Sequence, residues 1–254
     1  MSSKKIRVGG IIDLSTVDWP LKVCSVIFFS GCNFRCPFCQ NGKLVDASYG
    51  REIEVRSLVN LILKSKPLID GVVITGGECT LQREGLIELC RELRRQGLEV
   101  GVDTNGSTPE VIELLLEENI INRVALDVKA PLDSKAYEKA IGLPGHGERV
   151  IKEVEKTLDI LLRSNVEVEV RTLIVPGFLD DVDSIRMIAR RIVGVTKFVI
   201  QQFRPEADLL DQSLKSMRPP TKQELLIMAK AALSEGVKNV YIRTRENGLE
   251  RVAR

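Results

Sequence analysis

Short apolar runs alternate with longer amphipathic stretches along most of the 254-residue chain. A short apolar run bounded by turn residues is typical of a buried strand, whereas apolar positions three and four residues apart predict a helix with one buried face. The predicted strands cover residues 23–29, 71–75, 99–104, 123–128, 167–175, 197–202 and 239–243. The predicted helices cover residues 54–66, 84–96, 108–118, 134–140, 148–163, 182–193 and 221–234.

This regular alternation predicts an α/β fold with a parallel sheet and right-handed crossovers. Because a complete eight-unit barrel typically takes about 250 residues, we expect this chain, with its loops, to form an open or partial barrel. Residues 6–14 add an edge strand or hairpin before the first predicted strand. No repeat, low-complexity tract or linker interrupts the pattern. We therefore predict one domain over residues 1–254, with a core at about 22–205 and a C-terminal helix and strand at about 221–245.

Composition and charge narrow the function classes. A hydrophobic content of 44% supports a sizeable core, and 37 Lys and Arg residues nearly balance 35 Asp and Glu residues. Without a long run of one charge, the sequence does not indicate a nucleic-acid partner or a membrane surface. It also shows no signal peptide and no apolar stretch approaching ~20 residues, so we expect a cytoplasmic protein. His146 is the single histidine, which excludes histidine triads and multi-histidine metal sites.

Three of the six cysteines, Cys32, Cys36 and Cys39, follow the first predicted strand with the spacing C-x3-C-x2-C. Inert thiols are one interpretation, and structural zinc is another, although zinc usually takes four ligands in two separated pairs. A third interpretation is a four-iron cluster, in which three thiolates leave one iron without a protein ligand. The spacing favours the cluster.

Unusual polar segments follow the other predicted strands at their carboxyl ends. Because these ends share one rim of a barrel, we expect the segments to surround one site. The segments are 75–78, 103–106, 127–129, 171 with 175–177, and 201–204. Each also has a simpler interpretation: Gly76 and Gly77 could form only a tight turn, and Asp127 and Lys129 could form a buried ion pair.

The cysteine loop, with Phe38 just before its last cysteine, resembles the radical S-adenosylmethionine (SAM) superfamily. The resemblance implies a partial (β/α)6-type barrel with parallel strands and an additional C-terminal strand. It also implies two cofactors, a [4Fe-4S] cluster and SAM. In that superfamily an electron from the cluster splits SAM into methionine and a 5′-deoxyadenosyl radical, which abstracts a hydrogen atom from the substrate.

The resemblance assigns roles to individual residues. Cys32, Cys36 and Cys39 match the catalytic cluster ligands, and Thr75 to Glu78 resemble the motif that holds the amino group of SAM. The residues implied to bind the cofactor are Phe38, Gly76, Gly77, Glu78, Thr104, Asn105, Asp127, Lys129 and Val175. Cys79 stands where the family usually has proline, and it is either a small buried substitute or a thiol near the open iron.

Residues 10–20 and 27–41 closely resemble the activating proteins of anaerobic ribonucleoside-triphosphate reductase. The resemblance implies an oxidoreductase that generates a glycyl radical on that reductase or on another glycyl radical enzyme. It also implies an electron donor such as flavodoxin or ferredoxin. The alternative is a radical SAM enzyme acting on a small molecule, such as one resembling 7-carboxy-7-deazaguanine synthase. Gln40 departs from the related activases, which usually have histidine after the third cysteine.

Overall fold

One mixed sheet of ten strands forms the centre of the computed structural model, which describes residues 3–253. Its hydrogen-bonded order is β10-β9-β8-β7-β6-β5-β4-β2-β1-β3. The strands are β1 (Lys5–Ser15), β2 (Cys24–Phe29), β3 (Arg51–Glu54), β4 (Gly71–Gly76), β5 (Glu99–Thr104), β6 (Arg123–Asp127), β7 (Glu167–Ile174), β8 (Lys197–Gln202), β9 (Val240–Thr244) and β10 (Gly248–Arg251).

Seven α-helices connect or flank these strands within residues 3–253. Their apolar residues and the apolar face of the sheet form one large buried cluster. The helices are α1 (Val55–Leu63), α2 (Arg83–Arg95), α3 (Pro109–Glu117), α4 (Ser134–Ile141), α5 (Gly147–Leu162), α6 (Val182–Arg191) and α7 (Lys222–Ser234).

The predicted α/β class and parallel strand order are confirmed. Strand β2 and the strands from β4 to β9 run parallel, whereas β1, β3 and β10 pair antiparallel at the two edges. The strand order is linear, so the sheet is an incomplete barrel with a C-terminal strand, as expected. Strands β3 and β10 were not predicted, because each is four residues long and rich in charge.

The two faces of the parallel strands differ in polarity. Leu126 of β6 pairs with Val170 of β7, and both belong to the apolar cluster under the helices. The next pair, Asp127 with Arg171, points to the opposite face because side chains alternate along a strand. The concave inner face of the sheet therefore carries charged residues, which explains the alternating glutamates of β7.

Trp19 covers the inner face near the amino-terminal ends of the strands. Its side chain is 1% exposed, and its indole N–H donates to Glu167 Oε2 at 3.2 Å. A Cβ atom on Gly101 would lie 3.3 Å from the ring, so the glycine leaves room for the indole. This packing leaves the carboxyl ends of the strands as the open end of the sheet.

Helix α7 begins with a complete capping box. Thr221 accepts a hydrogen bond from the Glu224 backbone N–H, and the Glu224 carboxylate accepts one from the Thr221 backbone N–H at 2.6 Å. We expect Thr221→Ala to lower the free energy of unfolding by about 1 kcal/mol. Ser65→Ala is the control, because Ser65 precedes a short helix without making a side-chain cap. Urea unfolding of both variants checks this, and equal stabilities would contradict it.

Candidate active site

A cavity of about 290 Å³ opens at the carboxyl ends of the parallel strands. The cysteine loop after β2 and the segments after β4, β5 and β6 form its walls, as the pattern of polar strand ends predicts. Its lining residues are Asp18, Phe28, Cys32, Phe34, Cys36, Phe38, Cys39, Gln40, Asn41, Thr75, Gly76, Gly77, Glu78, Asp103, Thr104, Asn105, Asp127, Val128, Lys129, Arg171, Leu173 and Gln201. The predicted site residues therefore converge, with one exception.

The exception is Val175, which does not line the cavity. Its side chain is fully buried in an apolar cluster with Phe34 and Phe38, directly behind the cysteine loop. Its backbone forms a tight turn, in which the Val175 N–H donates to Leu179 O at 3.0 Å. A contact between this turn and the cofactor stays a prediction.

Backbone hydrogen bonds hold the cysteine loop in place. Gly31 has a φ of +93°, which favours glycine, and its N–H donates to Leu44 O at 2.8 Å. The Arg35 N–H donates to Ile141 O, at the end of α4, at 2.8 Å. The Cys39 N–H donates to Cys36 O at 3.0 Å, which turns the chain between these two cysteines. The loop therefore has a fixed path before any ligand binds.

All six cysteines are free thiols in the structure. Burial raises the pKa of Cys32 to about 11 and that of Cys36 to about 12, so both are neutral thiols at neutral pH when no metal is bound. The positive charge of Lys129 opposes this effect, because it favours both thiolates, but burial outweighs it. Binding of iron therefore has to displace a proton from each thiol, as it does for metal sites in general.

The Gly-Gly turn after β4 packs directly against the cysteine loop. The Gly77 N–H donates to Phe29 O at 2.9 Å, and the Glu78 N–H donates to Gly31 O at 2.8 Å. A Cβ atom on Gly77 would lie 2.2 Å from Gly31 O, and Gly76 has a φ of +130°. These are close-approach positions that only glycine fills without strain, so the pair is more than an ordinary turn.

Glu78 is 1% exposed and joins two strand ends. Its Oε1 accepts from Thr80 Oγ1 at 2.6 Å and from Thr104 Oγ1 at 2.9 Å, and its Oε2 accepts from the Asn105 N–H at 2.7 Å. Burial raises the pKa of this carboxyl group, although all of these hydrogen bonds lower it. Glu78 thus fixes the turn after β5, and its use as an acceptor for an ammonium group stays a prediction.

Asn33 was not among the predicted site residues. Its Oδ1 accepts from Asn105 Nδ2 at 2.9 Å, and its Nδ2 donates to Ser107 Oγ at 2.7 Å. These two bonds connect the cysteine loop to the segment after β5. The available signal was its position between Cys32 and Cys36, but an amide in a loop is too common to indicate a particular contact.

A chain of ion pairs runs along the inner face of the sheet and forms part of the cavity wall. Arg171 bridges two carboxylates, with Nη1 at 3.1 Å from Asp103 Oδ2 and Nε at 2.9 Å from Asp127 Oδ1. Lys129 Nζ lies 2.9 Å from Asp127 Oδ2. Burial raises the pKa of Asp127, but Arg171 and Lys129 outweigh it and hold the pKa at about 2. The pair formed by Asp127 and Lys129, one of the two interpretations of the sequence, is therefore present and remains at the cavity wall.

Arg123 extends the chain toward Trp19 and was not recognised in the sequence. It is fully buried, with Nη1 at 3.3 Å from Asp103 Oδ1 and Nη2 at 3.2 Å from Glu169 Oε1. From the sequence, an arginine at the start of a predicted strand is expected to be exposed to solvent. Only the curvature of the sheet places it inside.

The donor set fits a cluster held by one loop. Cys32, Cys36 and Cys39 all line the cavity. Within residues 3–253 no three His, Cys, Asp or Glu side chains are placed to hold a single metal ion. A four-iron cluster makes a different demand, because each thiolate binds its own iron.

Cys79 is fully buried, and its thiol faces the carbonyl of Asp103, with Sγ 3.4 Å from the oxygen. It does not line the cavity. The interpretation as a small buried residue fits this position, and a thiol near the open iron does not.

The family model described as the Radical SAM superfamily matches residues 26–192, which include the cysteine loop and the strand ends from β4 to β7. The chain belongs to the radical SAM superfamily. It is therefore an enzyme whose cofactors are a [4Fe-4S] cluster and SAM. The predicted family, enzyme class and cofactors are confirmed.

Two relatives extend the likeness beyond the shared domain. A Methanocaldococcus jannaschii protein, provisionally named as a glycyl-radical enzyme activating enzyme, is 39% identical over 240 residues, covering 94% of this chain and 97% of that protein. The pyruvate formate-lyase-activating enzyme of Clostridium pasteurianum is 31% identical over 193 residues, covering 74% of this chain and 77% of that enzyme.

Among solved structures, TYW1 with a lysine-pyruvate adduct bound superimposes with a TM-score of 0.65 at 18% identity. The match covers 89% of this chain and 77% of that one, and it shows a shared fold. In the described part of the chain, every helix is too short or too polar to cross a membrane.

We expect Cys36→Ala to abolish retention of a four-iron cluster, because two remaining thiolates are too few to hold it. Cys90→Ala is the matched control, since Cys90 is fully buried in the apolar cluster under the helices. Iron content and the visible absorption after anaerobic reconstitution measure the outcome. Equal iron retention by the two variants would contradict the assignment of the loop.

We expect Arg171→Met to lower the free energy of unfolding by about 3 kcal/mol, because it leaves Asp103 and Asp127 facing each other without their shared cation. The control is Arg91→Met, which removes an exposed pair with Glu118 and should cost at most about 1 kcal/mol. Urea unfolding of the protein without cofactors tests both. Similar losses for the two variants would show that the buried bridge contributes no more than a surface pair.

Proposed function

We propose that this chain is a glycyl-radical activating enzyme whose partner is an anaerobic ribonucleoside-triphosphate reductase. The similarity to the M. jannaschii protein supports the assignment as a glycyl-radical activating enzyme, because it extends over 94% of the chain and is not confined to the superfamily domain. The pyruvate formate-lyase-activating enzyme of C. pasteurianum supports the same reaction class. The reductase as the particular partner is supported by residues 10–20 and 27–41, which resemble its activating proteins.

Cys32, Cys36 and Cys39 are the proposed catalytic cluster ligands, and three thiolates would leave one iron of the cluster without a protein ligand. When reduced by one electron from an external donor, the bound cluster would supply, together with SAM, a carbon-centred radical able to take a hydrogen atom from a glycine. The buried side chains of Phe34 and Phe38 give the cavity an apolar section of wall beside the cysteines. A radical hydrogen transfer needs no side-chain base, which agrees with a site in which no histidine lines the cavity.

The cavity wall offers a group that matches the carboxylate of SAM. Lys129 presents an ammonium group that can bind a carboxylate, and Asp127 holds this group in place at 2.9 Å. Gly76 and Gly77 also line the cavity and are proposed to contact the cofactor, although the space left by their missing Cβ atoms is taken by the backbone of Phe29 and Gly31. The other residues proposed to bind the cofactor are Phe38, Glu78, Thr104, Asn105 and Val175.

The proposal also includes the localisation, the electron donor and the domain organisation. We place the enzyme in the cytoplasm, with a flavodoxin or ferredoxin as electron donor. We also propose a single domain over residues 1–254, supported by one continuous sheet through residues 5–251.

The test is anaerobic reconstitution followed by reaction with the purified reductase. We expect about four irons per chain, cleavage of SAM to 5′-deoxyadenosine on reduction, and a glycyl-radical EPR signal on the reductase. Reductase with its radical glycine changed to alanine is the control and should give no signal.

Two results would overturn parts of this proposal. Cleavage of SAM without an EPR signal on a folded, purified reductase that still lacks its radical would exclude that partner, and would favour another glycyl radical enzyme or a small-molecule substrate such as a deazaguanine precursor. Bound zinc without any cleavage of SAM would remove the radical reaction itself.

A further inference from the structure

Strand β1 has a free edge along its second half. Strand β3 covers only Lys5 to Val8 on one side, while β2 pairs with β1 as far as Ser15 on the other. Within residues 3–253, the backbone groups of residues 10–14 that point away from β2 have no strand beside them. An unpaired row of N–H and C=O groups is a ready template for another polypeptide strand.

Apolar side chains accompany this free edge. Ile12 is 42% exposed, Leu14 46% and Val17 70%. Ile12 pairs with Val26 and Gly10 pairs with Phe28, so Ile12 and Gly10 lie on the face that points into the barrel. An exposed apolar group next to an unpaired edge is a recognised liability unless a partner covers it.

The free edge leads into the active-site cavity. Gly10, Phe28, Gln40 and Asn41 line one shallow hollow of about 220 Å³, and the last three of them also line the main cavity. A polypeptide lying along β1 would therefore end beside a hollow that adjoins the main cavity.

Gly10 keeps this passage open. A Cβ atom there would meet only Phe28 Cδ2, at 3.9 Å, whereas one on Gly9 would lie 2.2 Å from Leu44 Cδ2. The internal packing thus favours a glycine at position 9 and leaves space for a side chain at position 10. A side chain at position 10 would instead occupy the space between the hollow and the cavity.

Gln40 supplies a polar group where the hollow meets the main cavity. Its Nε2 is buried and has no hydrogen-bond partner among the described residues. A buried donor without a partner is costly, so an acceptor placed beside this amide would be stabilised. A peptide carbonyl passing from the hollow into the cavity is such an acceptor.

We propose that the radical-bearing segment of the partner enzyme docks as an extended strand on the free edge of β1, along residues 10–14. Backbone hydrogen bonds to β1 hold the segment, Ile12 packs against its apolar side chains, and its glycine passes over Gly10 toward the open cavity. This inference rests on the proposed function, since it takes the substrate to be a polypeptide.

Hydrogen–deuterium exchange measures the docking directly. The probes are purified anaerobic ribonucleoside-triphosphate reductase and purified pyruvate formate-lyase, each added to the reconstituted enzyme with SAM. We expect the amides of residues 10–14 that point away from β2 to exchange fast in the enzyme alone and at least about tenfold more slowly with the true partner. Unchanged exchange with a partner that receives the radical would overturn the docking site and leave the proposed function intact.

Ile12→Asp is the variant that tests the edge. It changes an exposed side chain away from the cofactor ligands, so cleavage of SAM without partner should stay within about twofold of wild type. The partner concentration that gives half-maximal glycyl radical should rise about tenfold or more, because a buried contact becomes a charge. Ile227→Asp, at a site 50% exposed on α7, is the matched control and should leave this concentration unchanged.

Gly10→Val provides a second variant that narrows the passage without disturbing the packing that fixes Gly9. We expect it to reduce glycyl-radical formation while iron retention stays normal. A radical yield equal to that of wild type for both Gly10→Val and Ile12→Asp, measured at a partner concentration below the wild-type half-maximal value, would overturn the proposal.

A second copy of the chain is the alternative occupant of the free edge, and the oligomeric state distinguishes it from a segment of the partner enzyme. If β1 pairs with a second copy of the chain, the enzyme alone should sediment as a dimer, and Ile12→Asp should make it a monomer; this result would overturn docking of a partner segment. Protection of residues 10–14 by a partner that receives no radical would instead support the docking site and overturn the proposed radical transfer.

Discussion

The structure depends on the contact between two backbone segments, the cysteine loop after β2 and the Gly-Gly turn after β4. Two hydrogen bonds, from Gly77 and Glu78 to Phe29 and Gly31, hold the segments so close that a Cβ on Gly77 would clash. Because β2 and β4 are neighbours in a parallel sheet, this contact also fixes the loop relative to the strand ends that follow. A metal-binding loop that is preorganised in this way loses little conformational entropy when it binds its cluster.

The second constraint is the polarity of the inner face. A closed barrel of this kind fills its interior with apolar side chains, whereas here a chain of ion pairs runs from Arg123 through Asp103 and Arg171 to Asp127. Each charge has an opposite partner within about hydrogen-bond distance, which offsets the cost of burial. The last member of the chain holds Lys129 at the cavity wall. The ion pairs on the inner face of the sheet therefore also determine the charge that the cavity wall presents to the cofactor.

The incomplete barrel links the radical chemistry to the proposed recognition of the partner. A parallel sheet that stops short of closure leaves an edge, and proteins normally protect edges with charges, bulges or covering elements. On one side, β10 and its charged residues cover the last parallel strand. On the other side, β3 covers only the first part of β1, and the uncovered part lies beside the cavity. The proposed docking of a partner strand would use this uncovered edge, so that the chemistry and the recognition of the partner share one side of the sheet.

The parallel α/β architecture and the convergence of polar strand ends could be predicted from the sequence, because they follow from local periodicity and from the common direction of parallel strands. The cysteine loop could be predicted from its spacing. The sequence also pointed to Gly76, Gly77 and Glu78, but not to what they contact. Only the tertiary structure decided that Glu78 binds the Thr104 and Asn105 segment, that Arg171 bridges Asp103 and Asp127, and that Arg123 lies inside. These pairings join residues far apart in the chain, so they depend on the curvature of the sheet and on side-chain reach, which no local pattern records.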